Sequence, residues 1–205
     1  TGPLSRTLAK AETSRVLDST SPDELLSCTQ TQLSTREHQL GMLCILENVA
    51  MRKKIGEAPL SPLATELARL ACELLASCRP TDYISTSEFW SPKLCSLCVV
   101  VAGVAKAAGA DRGVSRVALA KSCVLPLCNG LACITHTNTR LLTPLNGNLL
   151  ELCVTTGELA EAVAMLGPMP TVFEPERFET SLKDIMGYFL YGSEALLALE
   201  RYDEA

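Results

Sequence analysis

The stretches LLELCVTTGELAEAVAML (residues 149–166) and FLYGSEALLALERYDEA (residues 189–205) are two imperfect copies of one helix-turn-helix unit, with like positions recurring about 43 residues apart. In the first, Leu149, Leu150, Leu152 and Cys153 lead to the turn Thr156-Gly157-Glu158, followed by Leu159, Glu161, Ala162, Val163 and Leu166. In the second, Phe189, Leu190, Ser193, Leu196 and Leu199 lead to Arg201-Tyr202-Asp203-Glu204-Ala205. A small residue, Ala162 or Ala205, follows each turn, where the second helix has to approach the first closely. The spacing predicts that Leu149, Leu152, Cys153, Leu159, Ala162, Leu166, Phe189, Leu196 and Ala205 pack the helix pairs together. Two helices cannot bury their apolar faces alone, so each copy needs neighbours, and function is expected on a stacked surface instead of in a pocket.

Composition narrows the classes. At 205 residues and 47% hydrophobic, the chain is long enough to bury about 70% of its unfolded surface without staples. A net charge of −5 opposes nucleic-acid phosphates, and no basic run exceeds Arg52-Lys53-Lys54. Aromatic residues are only 4% of the chain, too few for a base-stacking platform, so no nucleic-acid partner is expected. Ten cysteines lie mostly in apolar helical stripes and no signal-peptide pattern opens the chain, which reads them as reduced core residues. The longest apolar run, Leu94 to Ala105 between Lys93 and Lys106, covers about 18 Å as a helix against a hydrocarbon core of about 30 Å. It is expected to be a buried helix, with no membrane partner.

Upstream of the repeat, residues 1–35 read as irregular or weakly ordered N-terminal helices, with one helix from Leu4 to Leu17 and a Ser19-Thr20-Ser21-Pro22 start signal. Leu40, Leu43, Cys44, Leu46, Val49 and Ala50 recur at helical spacing between Arg36 and Arg52. Gly56, Pro59 and Pro62 mark a loop, and Leu63 to Cys78 is the cleanest amphipathic helix. Pro92 either occupies the first turn of a helix capped by Ser91 or kinks one begun near Asp82, and Gly109 and Gly113 bracket a turn. Pro126 is expected to break or bend the helix that starts at Val114. Thr143-Pro144 caps the first repeat copy, Gly167 to Pro175 is the longest late loop, and a last helix runs from Phe178 or Leu182 to Leu199. No strand pattern occurs, so the fold class is all-α, an α-α superhelix of tetratricopeptide-like repeats over 1–205.

Chemistry is sparse. Cys95-Ser-Leu-Cys98 has zinc or redox spacing, but Cys123, Cys128 and Cys133 follow at helical intervals and supply no second knuckle. His38 and His136 are the only histidines, and neither sits beside an obvious nucleophile. No phosphate loop, metalloprotease helix or nucleophile elbow is present, so no catalytic residue, cofactor, metal or small-molecule substrate is expected. Tyr188, Phe189 and Tyr191 read first as helix packing, while Tyr188, Tyr191 and Tyr202 are the candidate aromatic anchors of an interface. The acidic surface reads mostly as solvation, with Glu174, Glu176 and Glu179 in one loop as the alternative contact for a basic partner.

Three stretches are distinctive in order and spacing: Glu37-His38-Gln39-Leu40-Gly41-Met42-Leu43, Arg112-Gly113-Val114, and Leu141 to Ala205 with Leu142-Thr143, Leu149 to Cys153, Tyr188 to Gly192 and the Tyr-Asp-Glu-Ala ending of tetratricopeptide-type repeats. Together they resemble the subunit-3 family of the constitutive photomorphogenesis 9 (COP-9) signalosome. The chain departs from the family pattern at Asn146, where the family tends to carry histidine, at Ser193 and at Pro126. The resemblance implies a non-catalytic scaffold subunit, in cytoplasm and nucleus, of a complex that removes a ubiquitin-like modifier from cullin-RING ubiquitin ligases. Its partners would be other signalosome subunits and, indirectly, those ligases, with catalysis in a separate metalloprotease subunit. It also implies a C-terminal winged-helix PCI module, which is expected to lie outside residues 1–205. Both ends read as cut from something longer, leaving the face around Leu196 and Leu199 partly open. Alternatives are another PCI-family scaffold of the proteasome-lid type, or a free-standing tetratricopeptide adaptor for peptide tails. Pro144 to Cys153 has no Lys or Arg for the carboxylate clamp such an adaptor needs.

Overall fold

The computed structural model describes residues 15–31, 38–55, 60–79, 87–111, 113–167 and 169–201. Among these, the chain is all-α, with helices α1 (Pro22–Thr31), α2 (Gln39–Arg52), α3 (Pro62–Ser77), α4 (Ser87–Ala110), α5 (Val114–Thr135), α6 (Pro144–Thr156), α7 (Leu159–Met165), α8 (Pro175–Phe178) and α9 (Leu182–Ala198). The expected helix from Leu4 lies largely outside the described residues, as do Tyr202 and Ala205.

Local chemistry sets the helix starts. Glu24 closes a capping box on Ser21 before α1, its Oε2 accepting from the Ser21 N–H at 3.1 Å, while the Ser21 hydroxyl accepts from the Glu24 N–H at 3.2 Å. Ser61 caps α3 by accepting from the Ala64 N–H, with Pro62 at the first helical position. Before α6, Asn146 Oδ1 accepts both the N–H and the hydroxyl of Thr143, at 2.8 and 2.9 Å. Ser181 and Asp184 form the same reciprocal box for α9.

Helix α4 sits at the centre, packed against α2, α3, α5, α6 and α8. Helix α2 rests on α4, α4 on α6, and α6 on α9, while α3 rests on α5 in a second row. One continuous core threads these contacts, from Leu43 and Leu46 through Leu67, Leu74 and Leu97 to Leu142, Leu145 and Leu149. Lysines fasten the margin of α4: Lys93 pairs with Glu47 on α2, and Lys106 reaches Asn148 and Glu151 on α6.

Three expectations need correction. Helix α5 continues through Pro126 to Thr135 without a break. The carbonyl that Pro126 leaves without its backbone donor belongs to exposed Ser122, within reach of solvent, and buried Cys123, Val124, Leu127 and Leu131 hold the helix to its neighbours. Strand is also present: Leu141–Leu142 pairs in parallel with Val172–Phe173, and two residues are too few to carry any periodicity. Finally, the apolar run at Leu94 to Ala105 belongs to a much longer helix. Trp90–Ala110 and Val114–Thr135 are each long and apolar enough to cross a membrane by length and composition, with about half of each apolar window buried within the protein. Of the two alternatives for Pro92, the helix that begins upstream and carries it inside is the one observed, starting at Ser87.

Candidate functional site

The repeat region is built on α6, α7 and α9. Leu149, Leu152, Cys153 and Ala162 are fully buried, and Leu159 and Leu166 pack partly buried against them. Helix α6 ends on Gly157 at φ 77°, and the Glu158 N–H reaches back 2.8 Å to the Cys153 carbonyl. That is the left-handed cap and six-residue closure of a Schellman turn. Glu158 itself faces outward to pair with Lys121 of α5 at 2.8 Å.

Helices α6 and α9 meet at glycine. A Cβ placed on Gly147 would lie 2.9 Å from the Asp184 carbonyl oxygen and 3.1 Å from the Tyr188 nitrogen, so only glycine lets the two backbones touch here. Farther along, Leu166 of the α7 end fills the space beside Gly192, where a Cβ would meet its Cδ2 at 2.8 Å. Sequence reading assigned close approach to Ala162 and missed Gly147. Its signal, a glycine in the first turns of a capped helix, has no periodicity of its own.

The aromatic candidates divide. Tyr188 is buried against α6, its phenol pushed up by burial. Tyr191 is half-buried; loss of solvent first, and then the adjacent Glu151 carboxylate, push its phenol up. Phe189, expected in the helix packing, is instead 43% exposed and meets the Tyr188 ring edge-on at 5.3 Å. Leu196, expected both in the helix packing and beside the open face, is buried, whereas Leu199 is exposed. The face left open on α9 is formed by Leu182 (71% exposed), Met186 (63%), Phe189, Leu190 (62%) and Leu197 (51%). Helix α9 is apolar nearly all round, so hydropathy gave no means of telling its packed side from its open one.

The acidic loop is partly self-neutralised: Arg177 pairs with Glu174 at 3.0 Å and lies over the Phe178 ring. Cys95 and Cys98 are buried on α4; burial pushes the Cys95 thiol to about 11, and burial with the nearby Cys95, Cys78 and Cys133 raises Cys98 further. Burial likewise takes Cys128 to about 11 and Cys153 to about 12. Such thiols stay protonated at neutral pH, which makes them packing groups and poor nucleophiles. Cys72 on α3 and Cys123 on α5 share a hydrogen bond that raises the first and lowers the second, a pair that their separation in the chain gave no reason to suspect. His38 and His136 are exposed at the two ends of different helices. Among the described residues no three His, Cys, Asp or Glu side chains converge as a metal site. No family model, curated protein or solved structure matches the chain.

Proposed function

We propose that this chain is a non-catalytic scaffold arm of the COP-9 signalosome type, an α-α superhelix of tetratricopeptide-like repeats that works through protein-protein contacts. In this reading it supports removal of a ubiquitin-like modifier from cullin-RING ligases, in cytoplasm and nucleus, with the chemistry performed by a sister subunit.

The observation that carries the reading is where the family-like residues fall. Met42 and Leu43 are buried on α2, Gly113 caps α5, and Leu142-Thr143 leads into the capped start of α6. Tyr188 and Gly192 face inward on α9. Residues that resemble the family thus serve helix packing, as a scaffold lineage requires, and none gathers into a reactive cluster. The α2-α4-α6-α9 row, with α3 beside α5, is the contact order that stacked hairpins produce and supports the superhelical arrangement.

Affinity capture of the tagged full-length protein from cells, followed by mass spectrometry, tests the proposal. Recovery of the signalosome subunits together with cullins is expected. Recovery of proteasome-lid subunits, or of peptide-tail clients without any signalosome subunit, would overturn it.

A further inference from the structure

We infer that the open face of α9 is a self-complementary seam on which a second copy of this chain docks antiparallel, about a two-fold axis passing between Phe189 and Leu190. At about 100° per residue, Leu182, Met186, Phe189, Leu190 and Leu197 fall on one stripe, all exposed, while Tyr188, Gly192, Ala195 and Leu196 occupy the buried side. Four of its five residues are placed symmetrically about the centre, and only Met186 lacks an apolar counterpart, Ser193 standing at the mirrored position. Leu182 and Leu197 lie equally far from its centre, and the bulkiest pair, Phe189 and Leu190, sits at it.

Charge selects the partner and its direction. Lys183 and Glu194 are both exposed, and neither has an ion-pair partner among the described residues. Eleven residues is close to three helical turns, so both project from the same flank of the stripe, within about 20° of each other and about 16 Å apart along the axis. In an antiparallel two-fold pairing, like flanks face each other across the seam. Lys183 of one copy then meets Glu194 of the other, and the pair forms twice. A parallel two-fold pairing sets unlike flanks against each other and would leave Lys183 and Glu194 of both copies without each other across the seam. One helix face about 24 Å long gives a small interface, so the dimer is of the weak, reversible kind.

The dimer stands independently of the scaffold reading and is tested on the purified chain alone by sedimentation equilibrium across protein concentration. A reversible monomer-dimer equilibrium with a dissociation constant on the order of 10 µM is expected. Leu190→Glu should abolish it while far-UV circular dichroism stays unchanged, since Leu190 is exposed. Lys183→Glu and Glu194→Lys should each weaken the dimer roughly tenfold at low salt, and the double exchange should restore it. A chain that stays monomeric throughout would overturn the proposal and assign the face to another protein or to a further helix. A dimer indifferent to both single exchanges, or not restored by the double one, would overturn the antiparallel register.

Discussion

The turns that end α6 and α9 have the same shape and different residues. At the first, Gly157 takes the left-handed position at φ 77°, and the Glu158 N–H closes on the Cys153 carbonyl. At the second, Glu200 takes it at φ 61°, and the Arg201 N–H closes on the Leu196 carbonyl at 2.9 Å. The offset between them is the same about 43 residues that relates the two sequence copies. The unit is therefore defined by its backbone closure, and glycine is the comfortable way to make that closure but not the required one. A glutamate held at positive φ costs about 1 kcal/mol that the first turn does not incur. The copies also differ in their surroundings: α6 is enclosed by α4, α5, α7 and α9, whereas α9 leaves one face open.

Substitutions that probe this contrast should differ widely in size. The largest effect is expected from Ala162→Arg, because Ala162 is fully buried and a guanidinium there is both too large and unpaired. A loss of about 3–5 kcal/mol follows. Glu158→Arg, four residues earlier, removes only the surface pair with Lys121 and should cost about 0.5–1 kcal/mol. Equal shifts in melting temperature would mean that the α6-α7 pair is wrongly oriented.

The two glycines at the α6-α9 crossing should respond with opposite signs. Gly147→Ala drives a Cβ against the Asp184 carbonyl and should destabilise by about 1–2 kcal/mol despite the better helix propensity of alanine. Gly187→Ala meets nothing nearer than the Gly147 Cα at 3.9 Å, so propensity dominates and a gain of about 0.5 kcal/mol is expected. Urea denaturation of both variants checks the pair. At the turns the effects are again modest and opposite: Gly157→Ala should lose about 1 kcal/mol, and Glu200→Gly should gain about 0.5 kcal/mol by releasing the left-handed glutamate. Thermal melts in which Glu200→Gly destabilises would contradict the shared closure.

Legibility in the sequence followed the strength of the local signal. Caps with a defined chemistry, at Ser21-Pro22 and Thr143-Pro144, and the Gly157 turn stood out because single residues specify them, whereas Pro62, read as loop, opens α3 behind Ser61. The all-α class followed from the apolar spacing of α2 and α3. Pro126 misled because its cost depends on whether water can reach the freed carbonyl, a property of the fold. The α6-α9 contact and the open stripe escaped for a related reason. Both are set by which side of an evenly apolar helix the neighbours choose, and Leu196 and Leu197 differ in nothing but direction.

The direct stacking of the two copies is tested most simply by nuclear Overhauser contacts between the α protons of Gly147 and Gly187, after specific glycine labelling. The touching backbones of α6 and α9 require a strong cross-peak between the two residues, with the Gly157 and Gly192 α protons giving none to each other. Absence of the Gly147-Gly187 cross-peak in the folded protein would contradict the stack and, with it, the identification of the open face.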